Sequence, residues 1–274
     1  MSNTSQKILR IATYNVENYS DGAGPKAKVK SPASKAKVQE AIRAMNPDVI
    51  ALQEMGNVAM LAELRESLAT GGLRFPHWEH VTGEDADAHI AVLSKLPFVS
   101  RWPHPDDSFV LNGKKCRSRR GFAEVEFQLN GGDRLILFAV HLKSMNPEPA
   151  FDPLAFRLEE ARLLRRKIDA HFARNAGARL IVLGDFNARA DSSVIQTVNG
   201  DGPRRLIDTH PVDQRHNDWT NFCAAKNEYS RIDYLLISQG VAANWLLDQS
   251  RVWDMDGWQT ASDHRPILGA FRFE

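Results

Sequence analysis

Two stretches of this chain, Leu135-Ile-Leu-Phe-Ala-Val140 and Leu180-Ile-Val-Leu183, are apolar without alternation. Strands built from such runs need cover on both faces, so further layers must lie on either side of them. Phe122-Ala-Glu-Val-Glu-Phe127 differs: it alternates apolar and charged residues, the pattern of a strand wet on one face. Together the apolar runs predict strands over Ile8–Val16, Val49–Gln53, His89–Leu93, Gly121–Leu129, Leu135–Leu142, Leu180–Leu183, Ile232–Ile237 and Pro266–Phe273. Ser34 is placed to cap a helix with Val38, Ile42 and Met45 on one face, ended by Pro47. Asn57–Leu68 is a second helix; Phe156–Ala176, basic on its outer side and closed by Gly177, is the longest. Asp191 would cap a short helix running to Val198. Hairpin-like pairs mix with strand–helix–strand units, which predicts an α/β protein with a mixed sheet or two packed sheets rather than a pure Rossmann alternation. No stretch reads as an interdomain linker, so residues 1–274 are expected to form a single domain, with 1–7 a flexible N-terminus.

Composition removes several classes. A soluble chain of 274 residues can bury roughly 75% of its unfolded surface and needs no disulfide or metal to hold a core. Its 35 Lys and Arg against 34 Asp and Glu leave a net charge of +1, so no whole-molecule field draws in a polyanion or a membrane surface. Attraction to a phosphate must therefore be local. Cys116 and Cys223 lie far apart, outside any Cys-x-x-Cys pattern, and read as ordinary thiols of a reducing compartment. Met1–Arg10 has no basic segment followed by an apolar run, and no stretch reaches the roughly 18 apolar residues of a membrane helix. The cytoplasm is the expected location, and no membrane insertion is expected.

The informative pattern lies where polar residues close the apolar runs. Thr13-Tyr-Asn-Val-Glu-Asn18 ends the first with Asn15 and Glu17, and Leu52-Gln-Glu54 ends the second with a carboxylate. Val140-His-Leu-Lys-Ser144 supplies a histidine, and Gly184-Asp-Phe-Asn187 a carboxylate and an amide two residues apart. Arg231-Ile-Asp-Tyr234 places an aspartate inside an apolar stretch, and Ser262-Asp-His-Arg-Pro266 stacks a carboxylate and an imidazole ahead of the last strand. Any one of these reads as a turn or a cap. Six of them can converge on one rim of a sheet, the usual place for an α/β active site. So many acids would repel one another unless a divalent cation offsets them, and carboxylate and amide oxygens suit Mg²⁺ or Mn²⁺ better than zinc.

These six motifs, in this order, resemble the endonuclease/exonuclease/phosphatase superfamily, the DNase I-like metal-dependent phosphoesterases, and the resemblance runs from Ile8 to Phe273. It implies a four-layer sandwich, two packed mixed β-sheets flanked by helices, a fold classed as α/β or, in some schemes, α+β. It implies Glu54 as the central metal ligand, with Asn15, Glu17 and Asp263 lining the same pocket. The family position matching Glu17 is often an aspartate, so the longer acid here leaves open a reach through water. The resemblance gives Asp185 the task of orienting or deprotonating the attacking water, and Asn187 that of holding a phosphate oxygen or that water. His264 would donate to the phosphate, its tautomer fixed by Asp233. His141 matches a strand end that carries a second histidine in some members and tyrosine in others, and reads as a general acid or as a phosphate ligand. Which group is general base and which general acid stays open. Lys143, Arg119 and Arg120 are the further substrate-binding candidates.

Two basic runs break the even charge: Lys26, Lys28, Lys30, Lys35 and Lys37, then Lys114, Lys115, Arg117, Arg119 and Arg120. Patches of this kind can capture an anion locally. The reading is a phosphodiester hydrolase, with DNA the leading substrate. Small phosphodiesters or phosphomonoesters are the alternative, and a catalytically silent phosphate-binding or scaffold protein the alternative of another class. A monomer is expected.

Overall fold

Each expected strand forms, and the strands the sequence does not announce are short or lie at sheet edges. The computed structural model describes residues 8–25, 28–129 and 132–273; the N-terminal segment 1–7, expected to be flexible, and Lys26 lie outside them. The first half runs β1 (Ile8–Tyr19), α1 (Pro32–Met45), β2 (Val49–Met55), α2 (Val58–Thr70), β3 (His77–Val81), β4 (His89–Ser94), β5 (Phe98–His104), β6 (Ser108–Leu111) and β7 (Lys114–Arg117). Next come β8 (Phe122–Gln128), β9 (Arg134–His141), α3 (Pro153–Arg174), β10 (Arg179–Asp185), α4 (Ser193–Asn199) and β11 (Ile207–Asp208). The last part holds β12 (Asn221–Cys223), β13 (Glu228–Ser230), β14 (Asp233–Ile237), α5 (Gln239–Ala242), β15 (Arg251–Val252), α6 (Trp258–Ala261) and β16 (Ile267–Arg272).

Two six-stranded sheets result, ordered β15-β16-β1-β2-β4-β3 and β11-β14-β10-β9-β8-β5, with two separate hairpins, β6-β7 and β12-β13. The sheets repeat one plan. In each, a central parallel pair, β1 with β2 or β10 with β9, is flanked by antiparallel neighbours. Their facing sides share one core, with Ile11, Val49, Ala51 and Val92 from the first sheet against Val125, Leu137, Ile181 and Leu235 from the second. The outer face of the first sheet packs on Val38, Ile42, Leu61 and Leu64 of α1 and α2. That of the second packs on Phe156, Leu164 and Ile168 of α3 and Val194 of α4. The order helices–sheet–sheet–helices is the expected four-layer sandwich. It explains the unbroken runs of β9 and β10, which are buried on both faces.

Local differences have local causes. Helix α1 starts earlier than Ser34: the Ser31 hydroxyl accepts from Ser34 N at 3.1 Å and Pro32 takes the first turn, where its missing N–H costs nothing. Helix α3 starts at Pro153, its first amides held by the Asp152 carboxylate. It ends at an extended Asn175 rather than at Gly177. Ser192, not Asp191, caps α4. Within α3, Arg157 and Glu160 point inward and are buried, so this helix is not simply basic outside and apolar inside. Glu124 of β8, expected to face water, is buried between two histidines.

Candidate active site

The sheet plan gathers the polar strand ends. β1, β2, β9 and β10 point their C-terminal ends at one rim, and the antiparallel β14 and β16 begin there. Register does the rest: Asp185 lies opposite His141 on one side and Asp233 on the other. On the first sheet Asn15 pairs with Gln53, after which the ladder breaks and resumes at Tyr19 and Met55. Glu17, Asn18 and Glu54 in that break all take left-handed conformations, with φ of 44°, 53° and 58°. Non-glycine residues hold such angles only where the surroundings impose them. Here Glu17 N donates to Asn15 Oδ1 at 3.0 Å and Asn18 N to Glu54 Oε2 at 3.1 Å. The buckle turns the Glu54 carboxylate toward Asn15, whose Nδ2 donates to Glu54 Oε1 at 3.1 Å and across the sheets to Asp185 Oδ2 at 3.0 Å.

Asp185 is the hub. Its Oδ1 accepts from Asn187 N at 2.8 Å, and its Oδ2 also from Asn187 Nδ2 at 3.3 Å. His141 Nε2 stands 3.5 Å and His264 Nε2 3.8 Å from Oδ2. His264 Nδ1 donates to Asp233 Oδ2 at 2.8 Å, which directs Nε2 to the centre. The Ser262 hydroxyl accepts from His264 N at 3.0 Å and donates to Asn15 O at 2.7 Å, tying the histidine loop to β1. Asp263, side chain half-exposed, has its amide on Glu17 Oε2 at 3.2 Å.

The charges are not at ease. Burial, with the neighbouring Asp233, pushes the Asp185 carboxyl up to about 7. Burial, with Asp263 and Glu54, raises Glu17 against the pull of Lys30, and burial, with Glu54 and Asp233, raises Asp263 against the pull of His264. For His264 burial works against the cation, but Asp233, with Asp185 and Asp263, overcomes it and raises the imidazole well above its ordinary value. His141 goes the other way: burial, then Arg120 and His264, hold it neutral. Among the described residues, Asp185, Asp233 and His264 bring ligand atoms within 4.8 Å of one another. However, Asp233 Oδ2 and His264 Nδ1 are engaged with each other. Glu17, Glu54 and Asp263, electrostatically coupled through Glu54, with Asn15 bonded to Glu54, offer the hard oxygen donors that a divalent cation takes.

The Endonuclease/Exonuclease/phosphatase family model matches residues 12–264. The chain belongs to that family. Solved structures agree in fold. Sphingomyelinase C from Streptomyces griseocarneus is 21% identical with a TM-score of 0.64, over 97% of this chain and all of the other. The human nocturnin catalytic domain with bound sulfate is 17% identical with a TM-score of 0.67, over 97% of this chain and 95% of the other. An endonuclease/exonuclease/phosphatase from Beutenbergia cavernae is 20% identical with a TM-score of 0.68, over 97% of this chain and 72% of the other. No curated protein matches the sequence.

Asn15, Glu17, Glu54, His141, Asp185, Asn187, Asp233, Asp263 and His264 stand together at one rim of the two sheets. The expected substrate-binding cations are differently placed. Lys143 is buried, its ammonium donating to Ser144 O, Ser144 Oγ and Asn146 O at 3.2–3.3 Å. Arg119 pairs with Glu84 and Glu148 at 3.0 and 2.8 Å. Arg120 pairs with Asp85 at 3.1 Å and donates to Leu142 O. In the first basic run the buried Lys30 donates to Glu17 O at 2.9 Å. Lys35 and Lys37 pair with Glu63 and Glu40. Sequence reasoning gave Lys30 a place only in an anion-capturing run, not at the Glu17 carbonyl, and did not foresee the Thr220 hydroxyl that accepts from Asp233 N at 3.1 Å. It gave Ser262 no role, although this residue stands directly before the Asp263-His264 pair.

Proposed function

We propose that this chain hydrolyses phosphodiesters with the help of Mg²⁺ or Mn²⁺, with DNA as the leading substrate. One observation carries the reading: a fully buried carboxylate, Asp185, is held by two amides and faces Nε2 of a histidine pinned by a second carboxylate. Asn15, Glu17, Glu54 and Asp263 would hold the cation, which when bound supplies a Lewis acid for a phosphoryl oxygen. Asp185 orients the attacking water and takes its proton. Asn15 and Asn187 keep that carboxylate from rotating. With Asp233 accepting from Nδ1, the His264 Nε2–H is presented to the charge that grows on the phosphate. His141, kept neutral, offers Nε2 on the opposite side of Asp185.

Lys28, Lys114 and Lys115 are exposed, and the DNA reading rests on them. A second reading, a small phosphodiester, is favoured by the pairing of Lys35, Lys37, Arg117, Arg119 and Arg120 with acids of the same chain. Turnover of bis-p-nitrophenyl phosphate with Mg²⁺ or Mn²⁺ tests the reaction. Release abolished by chelator and lowered more than about a hundredfold in Asp185→Asn and His264→Ala is expected; absence of metal-dependent release would remove the proposal. Nicking of supercoiled plasmid that falls steeply between low and moderate salt would support DNA, whereas diester turnover without nicking would leave the small substrate.

A further inference from the structure

Between the hairpin β6-β7 and the start of α3 lies a cavity of about 470 Å³. The hairpin is pre-formed: Asn112 and Gly113 take φ of 51° and 75° at its tip, the left-handed pair that a two-residue turn requires. Its inner face packs Phe109 against Phe156 of α3 at 4.8 Å between ring centres, with Leu111 and Cys116 alongside. Lys114 and Lys115 line the cavity and are exposed, and among the described residues neither makes an ion pair. Inside, Phe151 stacks on Phe156, centres 4.3 Å apart and planes 27° from parallel. The Arg119 guanidinium lies 5.3 Å from the centre of Phe151 and is fixed by Glu84 and Glu148.

Two chemistries meet here. Stacked rings and an aliphatic wall favour a flat aromatic group, and the unpaired Lys114 ammonium on the inner face, with Lys115 adding its charge from the rim, favours an anion. An acyl chain would use the first and leave the lysines idle; inorganic phosphate would use the second and leave the rings idle. A nucleotide uses both, with its base on the aromatic wall and its phosphate at the lysines. We propose that this cavity is a nucleotide-binding subsite.

Its position ties it to the rim. Glu160 takes Arg119 N on one carboxylate oxygen at 2.9 Å and Lys143 N on the other at 2.6 Å, and Lys143 follows His141 by two residues. Glu148 stands between Arg119 and Lys143, 2.8 Å from the first and 3.7 Å from the second. The cavity and the His141 strand end therefore share a wall. If the chain cuts nucleic acid, as proposed above, the subsite holds a nucleotide unit on the His141 side of the scissile bond. Binding itself needs neither metal nor cleavage, so it is tested apart from that reading.

Cys116 lines the cavity and serves as reporter. In a Cys223→Ser background it is the sole thiol of the chain, and its alkylation by iodoacetamide is followed with AMP, adenosine or inorganic phosphate added at equal millimolar concentration. AMP is expected to slow alkylation several-fold, adenosine and phosphate far less. Lys114→Glu combined with Lys115→Glu, surface changes on the hairpin, will slow the unprotected rate by placing anions beside the thiol, so protection is read as the ratio of rates without and with AMP, which should fall to one while the circular dichroism spectrum stays unchanged. Phe151→Ala should weaken it. Alkylation indifferent to AMP, equal protection by phosphate alone, or full protection in the charge-reversed variant would each overturn the assignment. A chain that binds AMP here but leaves bis-p-nitrophenyl phosphate intact would keep the subsite and refute the hydrolase.

Discussion

Gly184 shows how a single residue sets the geometry of the rim. It sits at φ 142° between Val140 and Tyr234, and a methyl group added there would overlap the Val140 carbonyl oxygen. The chain can bring β9 and β10 this close, and so set Asp185 beside His141, only with no side chain before the aspartate. Asp233 acts at the same scale by a different route. Its carboxylate accepts from His264 Nδ1 at 2.8 Å, and Thr220 fixes its own amide. An amide at this position could donate to Nδ1, which would leave the ring neutral and remove the charge with which the His264 Nε2–H meets the phosphate. Asp233→Asn is therefore expected to lower kcat by about a hundredfold or more with little change in KM, since Asn187 and the residues proposed to hold the cation are untouched. Steady-state kinetics on a variant with an unchanged melting curve decide it. A kcat within a few-fold of the parent would mean that His264 is oriented by something else.

Elements are held by groups their own sequence periodicity does not advertise. Glu160 lies on α3, fully buried, with Ser118 Oγ and Arg119 N on one oxygen and Lys143 N on the other. Burial raises its carboxyl, and the same three donors partly offset that. Arg157, one turn earlier, donates to Lys143 O at 2.8 Å. Together the two side chains fasten the segment before β8 and the loop after β9 to one helix. Glu160→Ala would strand three buried donors, and a loss of roughly 3 kcal/mol or more is expected; Glu160→Gln, which keeps one acceptor oxygen, should lose less. Urea midpoints measure both, and a change below about 0.5 kcal/mol in the alanine variant would show that water replaces the carboxylate. Neither Glu160 nor Arg157 could be read from sequence, because on a helix rich in charges an inward polar residue looks like its solvated neighbours. The strand ends were readable for the opposite reason: Asn15, Glu54, Asp185 and Asp263 each interrupt or border an apolar run. The buckle that tilts Glu54 inward was not, since left-handed angles at Glu17 and Glu54 go with side-chain bonds from Asn15 and across to Glu54 rather than with residue type. Strands β11 and β15, two residues each, carry no pattern at all.

At the scale of the whole molecule, a net charge of +1 conceals charges placed far apart in sequence and joined across layers. Alternation in β8 predicts a wet face, but Glu124 is buried where β8, the edge strand β5 and α3 meet. Its two oxygens accept from His104 Nε2 at 2.7 Å and His171 Nε2 at 2.8 Å. Lys167 donates to His104 Nδ1 at 3.0 Å and pairs with Asp107 at 2.8 Å, so the proton of His104 faces the carboxylate. Burial alone would raise the Glu124 carboxyl, yet the two imidazole donors bring it down to about 2. A carboxyl depressed in the folded state contributes stability above its unfolded value of about 4.3 and loses it as the pH falls toward the folded one. The contribution, on the order of 3 kcal/mol at most, is thus complete at neutral pH and disappears between about pH 4 and 2. Comparing urea midpoints of the parent and Glu124→Gln across pH isolates it from the other carboxylates. The difference should be present at pH 5 and close below pH 4, because the protonated acid and the amide then resemble each other. A difference that persists undiminished to pH 2 would show that shape, not charge, makes Glu124 hold the edge strand and the helix to the sheet.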